Sequence, residues 1–488
     1  MDEPASGGTG PAIAPKPTGP AGILDPTGEL RSAADDCVHC GFCLPACPTY
    51  QLWGEEMDSP RGRIHLISQM LDGAQASEAA VSHLDRCLGC MACLPACPSG
   101  VHYDRLIEAA RTWTEEPQAG AAPMPARTAR ERAVRAAIFA TFPYPRRLRL
   151  LAGPLRLAQR AGLDRRLRNS PMVRRVAPEL AAALQVAPPA ARHAPPPEHS
   201  PAHWPRRAVV GMLTGCVQQV FFPEVNAATA RVLAAEGCDV VTPPGQGCCG
   251  ALSLHTGRAT EAAMFAKRTI AAFEDAGVEV IVVNSAGCGS AMKEYAELLK
   301  HDREPGQDWP QRAARAAAKV RDLSEFLSEL AESGGGQVAV RHPLPVKAVY
   351  HEACHLGNAQ GIRRQPRELL RTIPGLDLAE VGDGGTCCGS AGVYNLLQPE
   401  AAGELGALKA AAIRATGATL VISANPGCSL QIASALSSAS DSPGSAADPP
   451  RSAADSPGSP APAPAIVHIA EVLDASFRGL SVAELTGG

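Results

Sequence analysis

The second half of the chain alternates short apolar runs with longer amphipathic stretches. The short runs, bounded by turn residues, predict strands, and they lie at 208–212, 239–242, 278–283, 346–350, 377–381 and 419–423. Apolar residues at helical spacing predict the intervening helices, which include 224–236, 258–276, 364–373 and 399–416. Strands that alternate with helices predict a mostly parallel sheet covered on both faces.

This pattern occurs twice, and cysteines mark both copies. The matched cysteines recur at offsets of 138 to 140 residues, and they are Cys216, Cys248, Cys249 and Cys288 in the first copy and Cys354, Cys387, Cys388 and Cys428 in the second. A constant offset predicts two tandem α/β domains, spanning 206–340 and 341–488. Each cysteine follows a strand, at the carboxyl edge where open α/β sheets bind ligands.

The repeated cysteines are compatible with three kinds of site. Four thiolates can hold an iron–sulfur cluster, bind zinc or act as a redox dithiol, and the spacing does not choose among them. Gly250 and Gly389 follow the paired cysteines and allow the bend that would turn both thiols toward one site. The remaining cysteine, Cys238, aligns with Leu376, which predicts a buried apolar residue.

The region 31–112 carries a different cysteine pattern, C-x2-C-x2-C-x3-C-P, in two copies. In two-cluster ferredoxins the fourth cysteine of each motif ligates the cluster of the other motif. The motifs therefore predict two [4Fe-4S] clusters, one held by Cys37, Cys40, Cys43 and Cys97 and one held by Cys87, Cys90, Cys93 and Cys47. Zinc or disulfides are the less favoured alternatives, because the spacing lacks two separated pairs and no secretory signal is present.

A helix is expected between the two motifs, in an α-helical domain. Ser59 and Pro60 suit its N-cap and first position, and Gly73 suits its end. Arg61 and Arg63 in its first turns either approach an anionic cluster or a partner, or form a solvated helix face.

Other segments have compositions typical of tails and linkers. Residues 1–30 predict a disordered tail, 188–205 a Pro-rich linker and 436–463 a low-complexity insertion, after which 466–469 and a helix at 470–477 resume the fold. The connector 113–205 includes fourteen arginines and no lysine between 127 and 175, interleaved with leucines. Such a run lies on a membrane surface, docks an acidic partner or is simply solvated.

Composition excludes several classes of function. The 488 residues have a net charge of -4 and 4% aromatic residues, which argues against nucleic-acid binding. Seventeen cysteines without a signal peptide predict a cytoplasmic protein, and no apolar window long enough to span a bilayer is present. The chain has no strong dinucleotide or phosphate-binding loop. It is therefore expected to conduct electrons, with no catalytic residue of its own.

These motifs resemble those of a known family. The two Cys-Cys-Gly repeats resemble the CCG domain of heterodisulfide reductases and of the iron–sulfur subunits of glycerol-3-phosphate, lactate and glycolate oxidising enzymes. With the N-terminal two-cluster module, the arrangement is similar to that of glycolate oxidase iron–sulfur subunits. Local strings that carry this likeness lie at 59–63, 351–361, 365–370 and 390–395. Unlike heterodisulfide reductase, each repeat ends in a single cysteine, with Ser285 and Asn425 where that family has a second.

The resemblance implies an electron-transfer subunit that takes electrons from an FAD-containing partner and passes them toward a quinone-linked acceptor, peripherally at the inner face of the cell membrane. A thiol or heterodisulfide reductase subunit, a related lactate or glycerol-3-phosphate dehydrogenase subunit, and a zinc-binding docking scaffold are the alternatives. His255, His351 and His355 crowd the repeat cysteines and are expected to be packed loop residues or hydrogen-bond partners of a cluster.

Overall fold

The computed structural model describes residues 24–116, 123–188, 196–203, 205–333, 336–383, 385–440 and 462–487. Within this part of the chain, no helix is both long enough and apolar enough to cross a bilayer. The architecture has an N-terminal helical domain, a helical connector and two α/β repeats, which confirms the predicted fold class.

The N-terminal domain is built from short helices around an apolar core. Its helices span Glu29–Asp35, Pro48–Trp53, Pro60–Leu71, Glu78–Arg86, Cys93–Ala96 and Tyr103–Glu115, with a 3-10 turn at Glu56–Asp58. The predicted cap is present, because Ser59 Oγ accepts a hydrogen bond from the Gly62 amide at 3.0 Å. Ile67, Leu84 and Leu106 are fully buried in the core.

The connector forms five helices that pack on both repeats. They span Ala129–Thr141, Pro145–Arg160, Leu163–Asn169, Pro171–Val176 and Pro178–Gln185. Ile138 and Phe139 pack against Val393 of the second repeat, while Leu148 packs against Val220 of the first. The connector therefore joins the repeats and leaves its outer surface exposed.

The first repeat contains a five-stranded sheet in the order β1-β3-β2-β4-β5. Its strands are β1 (His199–Ser200), β2 (Ala208–Met212), β3 (Cys238–Val241), β4 (Val280–Val283) and β5 (Val320–Asp322). All pairs are parallel except β1 with β3. Its helices span Val217–Phe221, Pro223–Ala235, Ala251–Leu254, Ala259–Asp275, Ala286–Lys293, Tyr295–Leu298, Trp309–Lys319 and Leu323–Glu332.

The second repeat contains a four-stranded parallel sheet in the order β7-β6-β8-β9. Its strands are β6 (Val346–His351), β7 (Leu376–Glu380), β8 (Leu420–Ser423) and β9 (Ala465–His468). Its helices span Arg364–Arg371, Tyr394–Leu397, Pro399–Ala415, Pro426–Ser440, Ile469–Arg478 and Val482–Thr486, with a π-helical turn at His355–Ala359. All six strands predicted from the sequence are present, each within two residues of its predicted start and end.

The two repeats pack face to face through equivalent helices. Helix 223–235 of the first repeat contacts helix 469–478 of the second, and helix 364–371 of the second contacts helix 323–332 of the first. The first contact includes a bidentate ion pair, in which Arg231 donates to both carboxylate oxygens of Asp474 at 2.9 and 2.7 Å. Apolar residues of both sheets share one core.

Three expected irregular segments are partly ordered. Residues 24–30 of the expected tail are structured, because Leu24 is buried and Asp25 accepts a hydrogen bond from the Arg31 amide at 2.8 Å; residues 1–23 lie outside the described part. The expected linker contributes β1, a two-residue strand that pairs with β3 at the edge of the first sheet. Residues 436–440 complete helix 426–440, where Leu436 is buried, and 441–461 lie outside the described part.

Candidate iron–sulfur and cysteine sites

The two N-terminal motifs form loops of the same shape. Positive φ angles occur at His39 and Gly41 in the first motif and at Gly89 and Met91 in the second, which are equivalent positions. Cys47 and Cys97 have nearly the same backbone angles, with φ near -89° and ψ of 113°. The shared spacing therefore produces a shared loop that wraps three sulfurs around one point.

The structure brings together the first predicted ligand set. A cavity of about 30 Å³ is lined by the four cysteines of this set, Cys37, Cys40, Cys43 and Cys97, and also by Cys93, which is predicted to belong to the other set. Cys40 is exposed, so this site lies near the surface.

The second predicted ligand set is more deeply buried. Cys47, Cys87, Cys90 and Cys93 all have less than one tenth of their surface exposed. Burial, followed by the nearby thiols of Cys90 and Cys87, raises the pKa of Cys93 well above its usual value. Thiols that oppose one another's ionisation in this way become stable as thiolates when a cation binds them.

A buried arginine lies beside this second set. Arg63 is completely buried, and its guanidinium donates to Thr49 Oγ1 at 3.2 Å and to the buried carboxylate of Asp58 at 3.3 Å. Burial opposes its charge, but ionised Cys87 and its neighbours outweigh burial and raise the pKa of Arg63. The solvated-face alternative is wrong for Arg63, because its helix packs that face inward. Arg61 is partly exposed and donates to the carbonyl of His39 at 3.1 Å.

The repeat cysteines form two equivalent rows of thiols. In the first repeat, contacts between thiols link Cys216 to Cys248 and Cys249 to Cys288. In the second, equivalent contacts link Cys354 to Cys387 and Cys388 to Cys428. The bend at each paired cysteine follows the prediction, since Gly250 and Gly389 have φ of 89° and 87°.

In each repeat the two adjacent cysteines have pKa values shifted in opposite directions. Contacts with Cys248 and Cys288 hold the pKa of Cys249 well below its usual value, and contact with Cys388 lowers the pKa of Cys428 to about 5. The thiol that donates in each contact has its pKa raised correspondingly. Each row can therefore supply thiolates to a metal centre.

Both rows line one cavity, which the sequence does not predict. The cavity has a volume of about 400 Å³, and all eight repeat cysteines contribute to its wall. Leu148, Leu151 and Leu155 of the connector form an apolar part of the same wall. The repeats share this cavity because their equivalent loops meet. The sequence pattern within one copy does not predict which residues of the other copy those loops will contact.

The histidines near the cysteines have different partners. His255 hydrogen-bonds through Nδ1 to Glu108 Oε1 of the N-terminal domain at 2.9 Å, and its ring lies 5.0 Å from that of His355. His355 Nδ1 lies 3.5 Å from the sulfur of Cys354. His351 is buried beside Cys388 and Cys428. Cys238 is fully buried in the apolar core, away from these rows, which confirms its predicted character.

The second motif contacts the second repeat directly. Cys90 and Cys387 belong to one apolar cluster, and Asn358 Nδ2 donates to the carbonyl of Cys90 at 3.0 Å. Tyr394 donates to the carbonyl of Arg86 at 3.0 Å. The cysteine sites therefore form a continuous series from the exposed first motif, through the buried second motif, to the shared cavity. Such a series suits movement of single electrons.

The connector is not simply a solvated run of charged residues, because some of its arginines are nearly buried in ion pairs and some of its apolar side chains are exposed. Arg127 and Arg135 are nearly buried and pair with Asp85 and Glu115 of the N-terminal domain. The outer surface keeps large apolar side chains exposed, at Leu150, Leu151, Leu157, Leu163, Met172, Val176 and Leu180.

Family models match most of the described chain. Residues 33–101 match a 4Fe-4S dicluster domain, 130–187 match the linker region of glycolate oxidase iron–sulfur subunits, and 210–293 and 348–433 match a cysteine-rich domain.

Relatives are similar over nearly their whole length. A probable glycolate oxidase iron–sulfur subunit of Bacillus subtilis is 38% identical, over 83% of this chain and 88% of the relative. A glycolate oxidase iron–sulfur subunit of Escherichia coli is 36% identical, over 83% of this chain and 91% of the relative. Lactate utilization protein A of Shouchella clausii is 34% identical, over 46% of this chain and 89% of the relative.

Proposed function

Because this chain belongs to the family of glycolate oxidase iron–sulfur subunits, and so carries iron–sulfur clusters within a multi-subunit oxidoreductase, we propose that its cysteine sites carry electrons from a flavin on a partner subunit to a quinone. One cluster is held by Cys37, Cys40, Cys43 and Cys97. The other is held by Cys87, Cys90, Cys93 and Cys47.

The main support for this assignment of cluster ligands is the small cavity at the first motif. Its lining includes Cys97 of the second motif beside three cysteines of the first, as expected when the fourth cysteine of one motif serves the cluster of the other; Cys93 also reaches this cavity. The donor set consists of thiols alone, which suits iron–sulfur clusters. A bound cubane accepts and releases one electron at a time. The surrounding residues bury the thiols and orient them, and Arg63 offsets negative charge at the second site.

The order of the sites suggests a direction of transfer. The first motif has an exposed cysteine, which suits an approach by a partner subunit. The second motif contacts the second repeat, where the shared cavity begins. We place the flavin partner at the first motif and the acceptor at the cavity. Oxidation of a 2-hydroxy acid to its 2-oxo acid releases two electrons and two protons, which convert one quinone to its quinol.

The acceptor assignment rests on the connector. The apolar part of the cavity wall suits a quinone ring. Exposed leucines on the same helices, with Arg146, Arg147 and Arg149 beside them, suit the surface of a membrane rich in anionic lipid. Peripheral binding there would bring the cavity close to the lipid phase. The lactate utilization relatives favour lactate as the alternative substrate of the complex.

Metal analysis tests the ligand assignment. Protein purified without oxygen should contain about eight irons from the two N-terminal sites, four per cubane. Cys40→Ser should remove the electron paramagnetic resonance signal of one cluster. Cys238→Ser is the matched control, because Cys238 is buried in the apolar core away from the sites. Equal signals in wild type and Cys40→Ser would contradict the assignment.

Vesicle binding tests the membrane proposal. The protein should sediment with phosphatidylglycerol vesicles and only weakly with phosphatidylcholine vesicles. Replacing Leu150 and Leu157 with serine should abolish sedimentation. The control is Leu408→Ser, because Leu408 is similarly exposed but lies on the second repeat. Equal binding to both vesicle types would contradict a surface selective for anionic lipid.

A further inference from the structure

One residue distinguishes the two rows of repeat cysteines. His351 ends β6, and its ring lies with Cys388 and Cys428 in a group whose ligand atoms are all within 4.8 Å of one another. All three side chains are buried. Among the residues that the structure describes, no second group of three such side chains comes as close.

His351 has no other evident role in the fold. Its side chain is 1% exposed, and within the described part of the chain its ring nitrogens have no polar partner apart from the thiol of Cys428. Burying an imidazole with an unpaired ring nitrogen is unfavourable, because that nitrogen loses its hydrogen bond to water. An apolar side chain would avoid that cost, so the two nitrogens indicate a ligand at this position.

The equivalent position in the first repeat is apolar. With the offset of 138 residues that relates β2 to β6, His351 aligns with Leu213. Leu213 is 2% exposed and packs in the apolar core of its repeat. The two repeats therefore have the same four thiols but differ in this one nitrogen donor.

The spacing of the three atoms fits a single ion. Zinc bound tetrahedrally at ~2.3 Å from sulfur and ~2.0 Å from nitrogen keeps its ligand atoms about 3.5–3.8 Å apart. A cubane instead spreads its thiolates over different irons. Mixed sulfur and nitrogen ligation is typical of zinc.

We propose that the second repeat binds one zinc ion through His351, Cys388 and Cys428, whereas the first repeat, with Leu213, lacks this site. The thiol of Cys387 contacts that of Cys388 but lies outside the group of three, so it would become the fourth ligand only after its side chain moves. The ion orders the loops after β6 and β8 at the wall of the shared cavity. This inference is independent of the electron-transfer role of the N-terminal clusters.

Substituting each repeat's residue into the other tests the proposal. Full-length protein purified without oxygen should contain one zinc per chain by elemental mass spectrometry, with zinc–nitrogen and zinc–sulfur shells in X-ray absorption. His351→Leu introduces the residue of the first repeat, and zinc should fall at least tenfold while iron stays unchanged. Leu213→His gives the first repeat the nitrogen donor that it lacks and should raise the zinc content above one per chain.

A second substitution distinguishes loss of the zinc ligand from misfolding of the His351→Leu variant. His351→Cys keeps a ligand, so it should retain zinc and replace the nitrogen shell with sulfur. Wild-type protein with no zinc would overturn the proposal. Full zinc content in His351→Leu, or an unchanged nitrogen shell in His351→Cys, would overturn it equally. Loss of the N-terminal cluster signals with zinc retained would count against the proposed function alone.

Discussion

The imidazole rings of His255 and His355, one from each repeat, lie 5.0 Å apart and tilted by 43° in the wall of the shared cavity. Burial, followed by the nearby charge of His255, lowers the pKa of His355 to about 3. Burial also opposes the charge on His255, but its hydrogen bond with Glu108 outweighs burial and raises its pKa. A positive charge is therefore favoured on His255, which faces the N-terminal domain, and disfavoured on His355.

The ion pair between Glu108 and His255 should stabilise the contact of the N-terminal domain with the first repeat in a pH-dependent way. Because the pKa of His255 is raised in the folded protein, its ion pair adds to the free energy of unfolding. This addition is complete below about pH 6.5, the ordinary pKa of histidine, and is lost as the pH rises through the pKa of the folded protein. Glu108→Gln should cost about 1.5–3 kcal/mol at pH 5.5 and less at pH 9. Anaerobic thermal unfolding at both pH values measures this, and an equal loss at both would contradict it.

Arg63 should contribute far more to stability than its neighbour Arg61. Arg63→Met leaves the buried carboxylate of Asp58 without one of its cations, which should cost about 3–5 kcal/mol. Arg61→Met on the same helix breaks a partly exposed pair with Glu56 and should cost less than about 1 kcal/mol. Denaturant midpoints compare the two variants, and equal costs would show that burial of Arg63 is unimportant.

Gly257 should be indispensable for docking of the N-terminal domain. Its φ is +84°, and a Cβ there would lie 2.2 Å from the carbonyl oxygen of Arg111. Gly257→Ala should therefore separate the domains, seen as faster proteolysis between them. Gly277→Ala is the control, because Gly277 also has positive φ, of +62°, but has open space around it. It should cost only about 1–2 kcal/mol, and similar proteolysis of both variants would rule out the steric explanation.

Glu294 should make the protein less stable as pH rises. Burial, followed by the charge of Glu108, raises its pKa from 4.5 to about 7. Between these values the unfolded chain loses a proton that the folded protein retains, so stability falls across this window and is level above it. Glu294→Gln should remove this loss, worth at most about 3 kcal/mol at pH 8. Unfolding midpoints at pH 5 and pH 8 measure it; a gain equal at both pH values would contradict the explanation.

The sequence predicts local features of this fold well because they depend on local chemistry. The cap at Ser59, the bends at Gly250 and Gly389 and the burial of Cys238 each depend on a few neighbouring residues. The shared loop of the two motifs is likewise encoded in cysteine spacing. The sequence alone therefore identifies every cysteine whose sulfur lies in these sites.

Long-range relationships were not predictable in the same way. The burial of Arg63 depends on Asp58 and His83, which approach it only after the helices pack. The sequence places His351 near the repeat cysteines but does not distinguish it from His255 and His355; only the packing of β6 beside β8 brings it to Cys428. The comparison of His351 with Leu213 in the aligned repeats is the one signal in the sequence that could have identified it.

The contact between the repeats has a consequence for their origin. Ser285 Oγ lies 3.2 Å from Asn425 Oδ1, and these residues occupy equivalent positions in the two copies. The helix contacts across the interface are reciprocal as well, which is the pattern of a two-fold symmetric homodimer. The tandem repeat therefore has the geometry of an ancestral dimer fused into one polypeptide. The two halves are not identical within this two-fold arrangement, because Leu213 in one takes the position of His351 in the other.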